Sequence, residues 1–163
     1  MDRWWRRAAA RPGSSTQVHS SPPRLLLLSL GMPNSSDPAL APLHSLNVLF
    51  VDDNTLNCKI GHRLLSSLGA QVESATSGEE ALAIAAASEF DVILLDCAMP
   101  GMSGFEVARE LRQGETRNST ARIVALTVKE EIEVRERAQE AGIETVLSKP
   151  LGEESLRRVL KVA

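Results

Sequence analysis

The alternation of apolar and polar residues becomes regular near residue 46. An apolar run at residues 46–51 ends in two acidic residues, Asp52 and Asp53. A helical pattern follows, in which five apolar residues recur on one face: Leu56, Ile60, Leu64, Leu65 and Leu68. Asn54 or Thr55 is suited to cap this helix, and a glycine follows its end. The pattern predicts a buried strand followed by an amphipathic helix.

The same rhythm of short apolar runs and helical patterns continues to the end of the chain. Further strands are predicted at residues 71–75, 91–95, 122–126 and 145–147. A second helix is predicted to begin at a capping-box pattern formed by Ser77 and Glu80 and to reach Ser88. Further helices are predicted at about residues 105–113, at 131–141 and at 153–162. Strands that read as continuous apolar runs and alternate with helices predict an α/β fold, with a doubly wound parallel sheet of five strands covered by five helices.

Residues 1–44 lack this rhythm. They hold six of the eight prolines, and five arginines against two aspartates. We expect a mostly disordered tail, because the segment buries too little apolar surface to offset its chain entropy. A transit peptide, which is Arg-rich and poor in acidic residues, is the alternative, and a poor signal peptide is a weaker one. The predicted folded domain comprises residues 45–163.

Composition narrows the classes of function. Hydrophobic residues make up 43% of the chain and charged residues 24%, which is ordinary for a soluble globular protein. The net charge of −3 combines +3 in residues 1–44 with −6 in the rest, and an acidic domain argues against nucleic-acid binding. The run of leucines at residues 25–28 is far too short to cross a membrane. Cys58 and Cys97 form no zinc pattern and are expected to be buried thiols in a reducing compartment. We therefore expect a cytoplasmic protein, or an organellar one if the tail is a transit peptide.

Polar residues stand at the carboxyl ends of four predicted strands. Asp52 and Asp53 follow the first strand, Asp96 the third and Thr127 the fourth, and Lys149 lies near the end of the fifth. In a doubly wound sheet, ligands bind at this edge. Three carboxylates, a hydroxyl and an ammonium group are therefore predicted to converge there.

Three carboxylates at one place repel one another. A like-charged pair about 4 Å apart costs on the order of 4 kcal/mol at an effective dielectric constant near 20. Either one carboxyl takes up a proton or a cation lies among them, and oxygen ligands favour Mg²⁺, Mn²⁺ or Ca²⁺ over zinc. Asp96 can then act as a nucleophile that forms an aspartyl phosphate. Lys149 and the cation would offset charge on the phosphoryl oxygens, to which Thr127 would donate a hydrogen bond.

Four sequence strings carry a resemblance to a known family. They are VLFVDDN at 48–54, LLDCAMPGMSGFE at 94–106, VALT at 124–127 and LSKP at 147–150. Together, and in this order, they resemble the receiver domain of two-component response regulators and hybrid histidine kinases. The string D-D-N-x-x-N at 52–57 is particularly similar to receivers attached to hybrid kinases. The resemblance covers residues 45–163 and implies a flavodoxin-like fold with strand order 2-1-3-4-5.

The resemblance also implies a Mg²⁺ site around the phosphoacceptor. Asp96 resembles the phosphoacceptor, Asp53 the direct metal ligand, and Asp52 the carboxylate that holds the metal through water. The backbone carbonyl of Ala98 is a further implied ligand.

The remaining implied roles concern the transfer itself. Thr127 resembles the switch hydroxyl, and Lys149 resembles the lysine that pairs first with Asp96 and later with the phosphoryl group. The bond from Lys149 to Pro150 is cis in the family. A histidine kinase or a histidine phosphotransfer protein would donate the phosphoryl group, and a downstream protein would respond. By the same analogy, the acidic surface and the helix opening at Asn54 would face the kinase. The domain would assist only its own phosphorylation and dephosphorylation and would not be an enzyme.

Two residues depart from the family pattern. Many receivers carry an aromatic ring that turns inward on phosphorylation where this chain has Val146, and a very small residue where it has Val128. We expect Val146 to be unable to make that swing and Val128 to narrow the access to Asp96. These departures favour one alternative, a binding module with impaired switching. A second alternative is that the chain is a fragment of a longer hybrid kinase. A third is a Mg²⁺-dependent phosphatase, although the D-x-D-x-T nucleophile motif of haloacid-dehalogenase-like phosphatases is absent.

Overall fold

The described part of the chain forms one sheet covered by helices. A computed structural model describes residues 46–114, 116–129 and 131–161, so the predicted tail at 1–44 lies outside the described residues. Within them there are five strands: β1 (Asn47–Val51), β2 (Gln71–Ala75), β3 (Val92–Asp96), β4 (Arg122–Thr127) and β5 (Thr145–Ser148). They pair in parallel in the order β2-β1-β3-β4-β5, which confirms the predicted topology.

A helix follows each strand. The helices are α1 (Thr55–Ser67), α2 (Gly78–Ala87), α3 (Gly104–Gln113), α4 (Ile132–Glu140) and α5 (Glu153–Leu160). None of the helices in the described residues is both long and apolar enough to span a bilayer. Alternate strand residues enter two separate cores, which explains the continuous apolar runs. Phe50 and Leu94 pack in the core that α1 and α5 close, whereas Leu49 and Ile93 pack in the core that α2, α3 and α4 close.

The predicted element ends are close to the observed ones. The span of β2 is the same as predicted, and β3 extends one residue further to include Asp96. The Ser77 hydroxyl accepts a hydrogen bond from the Glu80 N–H at 3.1 Å, as the capping pattern predicts. The Glu80 carboxylate, however, accepts hydrogen bonds from the N–H and hydroxyl of Thr76 at 2.7 and 2.8 Å, so the capping box is completed one residue earlier.

The apolar face predicted for α1 is only partly buried. Leu56 and Ile60 are 61% and 55% exposed, and Cys58 and Gly61 take the buried positions instead. A Cβ on Gly61 would lie 2.5 Å from Cζ of Phe50, so the glycine lets the helix backbone approach that ring closely. This close approach sets the rotation of α1 about its axis and leaves an apolar strip facing outward.

The sequence patterns missed a short 3₁₀ helix at Arg117–Thr120. Its residue Asn118 is fully buried, although asparagine is usually exposed. The side-chain oxygen accepts a hydrogen bond from the Phe90 N–H at 2.8 Å, and the side-chain nitrogen donates to the carbonyls of Ala85 and Ser88 at 2.6 and 2.8 Å. Asn118 therefore joins the segment before β4 to the end of α2.

The loop after β3 is held tightly beneath Asp96. The Ser103 hydroxyl and the Glu106 carboxylate form a reciprocal capping box at the start of α3. A Cβ on the next residue, Gly104, would lie 2.2 Å from the backbone oxygen of Asp96. No side-chain rotation relieves a contact with backbone, so a residue without a side chain is required at this position.

We expect Gly104→Ala to lower the free energy of unfolding by about 2 kcal/mol or more, because the new methyl group forces the Asp96 backbone to move. Urea denaturation of the variant and the wild type measures the loss. Gly152→Ala is the matched control, because its Cβ would have Ser155 Oγ at 3.8 Å as its nearest neighbour. The control should lose less than about 1 kcal/mol, and equal losses in both variants would contradict the steric explanation.

Candidate functional site

Asp52 lies at the end of β1 and is fully buried. Its carboxylate accepts hydrogen bonds from the Asn54 N–H at 3.0 Å and from the side-chain nitrogen of Asn57 at 3.0 and 3.3 Å. Lys149 Nζ lies 2.6 Å from its Oδ2. A buried carboxylate is costly unless it is paired, and these donors satisfy it.

Asp96 ends β3, the central strand of the sheet, which has two strands on each side, and it is also buried. Its Oδ1 accepts a hydrogen bond from the Ala98 N–H at 3.1 Å. Its Oδ2 accepts one from Lys149 Nζ at 2.6 Å. One carboxylate oxygen is therefore fixed by the loop that follows the strand, and the other by a side chain that arrives from β5.

Lys149 follows β5 directly, and its peptide bond to Pro150 is cis, as the resemblance implies. Its ammonium group bridges Asp52 and Asp96. Burial by itself would lower the pKa of Lys149, but hydrogen bonds to Asp52 and Asp96 and their negative charge outweigh it and raise that pKa above its ordinary value. The ammonium form is thus the one that the two carboxylates hold.

Asp53 is exposed and completes a group of three carboxylates. Within the part of the chain that the structure describes, Asp52, Asp53 and Asp96 each place an oxygen within 4.8 Å of the others. One ammonium group offsets one of these three negative charges, which leaves a charge of about −2 at full ionisation. Hard oxygen donors with this residual charge fit a divalent cation such as Mg²⁺.

Thr127 is the last residue of β4, and it is buried. Its hydroxyl donates a hydrogen bond to the Lys129 carbonyl at 3.0 Å and accepts one from the Lys129 N–H at 3.2 Å. The hydroxyl therefore stabilises the turn after β4 in this conformation. The predicted bond from Thr127 to a phosphoryl oxygen stays a prediction.

The two residues that depart from the family pattern lie in different surroundings. Val128 is 76% exposed and lines a groove together with Asp52 and Lys149. Val146 is half-buried and packs against the core under α2, α3 and α4. The predicted effects of these two valines on access and switching remain predictions.

The groove beside the carboxylates is largely apolar. It has a volume of about 410 Å³ and runs between α1 and the segment after β5. Apolar side chains form most of its wall, including Ile60, Leu64, Val128 and Leu151. Asp52 and Lys149 lie at its polar end, so the charged site opens directly onto an apolar surface.

Both cysteines are free and buried, as predicted. The Cys58 thiol donates a hydrogen bond to the Asp52 carbonyl, with Sγ 3.1 Å from the oxygen. Burial, together with the charge of neighbouring Asp96, raises the pKa of the Cys97 thiol to about 11. A thiol with so high a pKa is a poor nucleophile near neutral pH, so Cys97 is a packing residue.

Sequence reasoning missed one polar member of this site, Asn57. Its side chain binds the Asp52 carboxylate from one turn into α1. The signal was present in the string D-D-N-x-x-N at 52–57, which places a donor five residues after the first aspartate.

Comparisons with known proteins identify the family of this chain. The family model described as response regulator receiver domain matches residues 48–161. The virulence sensor protein BvgS of Bordetella pertussis (strain Tohama I) is 38% identical over 126 residues, which cover 75% of this chain and 10% of that protein. The aerobic respiration control sensor protein ArcB of Escherichia coli (strain K12) is 37% identical over 120 residues, which cover 74% of this chain and 15% of that protein. The chain therefore spans only a small part of the length of these relatives.

Solved structures give the same result. The chemotaxis protein CheY4 of Vibrio cholerae has a TM-score of 0.69 and 33% identity, over 72% of this chain and 97% of that chain. The receiver domain of the sensor histidine kinase PA1611 from Pseudomonas aeruginosa PAO1 has a TM-score of 0.66 and 32% identity, over 72% of this chain and 95% of that chain. That crystal structure contains a magnesium ion coordinated in the active-site cleft. From the family match, the relatives and the fold, we conclude that this chain belongs to the response regulator receiver family, whose members are signalling modules of two-component and phosphorelay systems.

Proposed function

We propose that Asp96 accepts a phosphoryl group from a phosphohistidine on a histidine kinase or a histidine phosphotransfer protein. The observation that carries this proposal is the position of Lys149 Nζ, 2.6 Å from both Asp52 and Asp96, beside the exposed carboxylate of Asp53. A nucleophilic carboxylate, a cation to offset phosphoryl charge and a divalent-metal site are thereby within reach of one another.

Four groups of this chain would hold Mg²⁺: the carboxylates of Asp52, Asp53 and Asp96, and the backbone carbonyl of Ala98. Their oxygen chemistry suits this ion, and a solved relative contains magnesium in its own cleft. Mg²⁺, when bound, would offset negative charge on the phosphoryl oxygens.

The transfer exchanges one bond to phosphorus for another. A carboxylate oxygen of Asp96 forms a bond to phosphorus, the phosphorus–nitrogen bond of the donor breaks, and the donor imidazole leaves with the electron pair of that bond. Lys149 then moves its hydrogen bond from Asp96 to a phosphoryl oxygen. The Thr127 hydroxyl exchanges the Lys129 backbone for a second phosphoryl oxygen, which changes the turn after β4.

The apolar groove and the exposed strip of α1 supply a docking surface for the donor. Leu56 and Ile60 are exposed next to the groove that ends at Lys149. The exposed side chains of α1 that carry charge are basic, namely Lys59 and Arg63, and α1 contains no acidic residue. The exposed face of this helix therefore suits a donor with an apolar strip flanked by acidic residues.

We expect Asp96→Asn to abolish phosphoryl incorporation, because an amide cannot form the acyl phosphate. The measurement is the incorporation of labelled phosphoryl groups from acetyl phosphate and from a phosphohistidine donor. Glu89→Gln, an exposed acid on the loop before β3, is the matched control and should behave as the wild type does. Undiminished labelling of Asp96→Asn would refute the assignment.

We expect Lys149→Met to bind Mg²⁺ more tightly by about tenfold, equivalent to about 1.4 kcal/mol. The raised pKa keeps Lys149 positively charged at neutral pH, so it opposes cation binding at the carboxylates that it bridges. The same variant should accept phosphoryl groups from acetyl phosphate more slowly by about tenfold or more. Isothermal titration with Mg²⁺ and the acetyl phosphate assay measure the two effects.

Lys129→Met is the control, because this lysine side chain is 78% exposed and pairs with Glu131. It should leave both quantities within about twofold of the wild-type values. Weaker Mg²⁺ binding by Lys149→Met would show that the lysine does not compete with the ion.

We expect Ile60→Glu to slow phosphotransfer from a protein donor by about tenfold or more, because the new charge must be buried against the donor's apolar surface. Phosphorylation by acetyl phosphate, which needs no docking surface, should stay within about twofold of the wild-type rate. Ile132→Glu, on α4, is the matched control, because Ile132 is 77% exposed. Equal effects of Ile60→Glu on both donors would argue against docking at α1.

A further inference from the structure

The carboxylate of Asp52 depends on a neutral donor as well as on Lys149. Asn57 Nδ2 lies 3.0 Å from Oδ1 and 3.3 Å from Oδ2 of Asp52, and the Asn54 N–H donates a hydrogen bond to the same Oδ1 at 3.0 Å. The opposite orientation of the Asn57 amide would place its oxygen against a carboxylate, which is repulsive. The amide nitrogen therefore faces Asp52.

The start of α1 fixes Asn57 in this place. The Asn54 side chain caps the helix by accepting hydrogen bonds from the backbone N–H groups of Leu56 at 2.9 Å and Asn57 at 3.4 Å. The two asparagines thus have different partners. The side chain of Asn54 accepts hydrogen bonds from the helix backbone, whereas the side chain of Asn57 donates hydrogen bonds to the Asp52 carboxylate.

A neutral donor suits this position for an electrostatic reason. Lys149 is shared between Asp52 and Asp96. In the proposed transfer it moves from Asp96 to a phosphoryl oxygen. The fully buried Asp52 carboxylate then needs other hydrogen bonds to keep its oxygens paired and in place. A second ammonium or guanidinium group would supply them but would repel a divalent cation, whereas an amide orients the carboxylate without adding charge.

We propose that Asn57 is a positioning residue, which orients the Asp52 carboxylate toward the cation that the site binds. This inference rests on the proposed function, because it concerns the same site. It assigns to α1 a part in metal binding in addition to its part in docking.

The test compares Mg²⁺ affinity among three variants of the full chain. Asn57→Leu removes the donor at similar size, Asn57→Gln keeps an amide on a longer side chain, and Ser66→Leu makes the same kind of polar-to-apolar change at an exposed position of the same helix. We expect Asn57→Leu to weaken Mg²⁺ binding by about tenfold or more, Asn57→Gln to recover part of this loss, and Ser66→Leu to resemble the wild type. Isothermal titration gives the affinities, and urea denaturation in the presence of EDTA gives the stability of each metal-free variant.

Phosphorylation by acetyl phosphate separates orientation from a general structural effect. At saturating Mg²⁺, the rate for Asn57→Leu should return to within about threefold of the wild-type rate, because excess ion compensates for weaker binding. A Mg²⁺ affinity of Asn57→Leu within about twofold of wild type would overturn the inference, even if its stability fell. Failure of the wild-type chain to bind Mg²⁺ would refute the proposed metal site itself, which is a different result.

Discussion

A single ammonium group relieves the repulsion between two buried carboxylates, and the functional edge of the domain is organised around it. Lys149 follows β5, Asp52 follows β1 and Asp96 ends β3, so the contact joins the ends of strands that are far apart in sequence. Removal of the ammonium would leave two negative charges in a place that water barely reaches. The site is thus a balance of opposing charges, and a change in one partner must alter the others.

The fold supports this balance by separating two tasks. Alternate residues of each central strand fill the two apolar cores, so the strands themselves are rigid and dry. Their carboxyl ends carry the charged groups at the sheet edge, where parallel pairing keeps the ends of β1, β3 and β4 side by side. Tight packing beneath Asp96, at Gly104, limits the movement of the loop that follows.

The alternation of strands and helices and the group of charged residues follow from repeated local patterns, whereas the strand order came from the family resemblance. Strand ends at Asp52 and Asp96 are visible as the point where an apolar run stops. The rotation of α1 was not visible, because it depends on how closely Gly61 approaches Phe50, a contact between separate elements. The role of Asn118 was hidden for the same reason, since its three partners lie in α2 and the loop after it.

The buried asparagine also has a consequence for protein modification. Asn118, Ser119 and Thr120 form the tripeptide pattern of an acceptor for N-linked glycans. In the folded domain, however, the amide nitrogen that would carry the sugar donates to the carbonyls of Ala85 and Ser88, and the residue has no exposed surface. A glycan at Asn118 is therefore incompatible with the native structure, although the tripeptide matches the acceptor pattern.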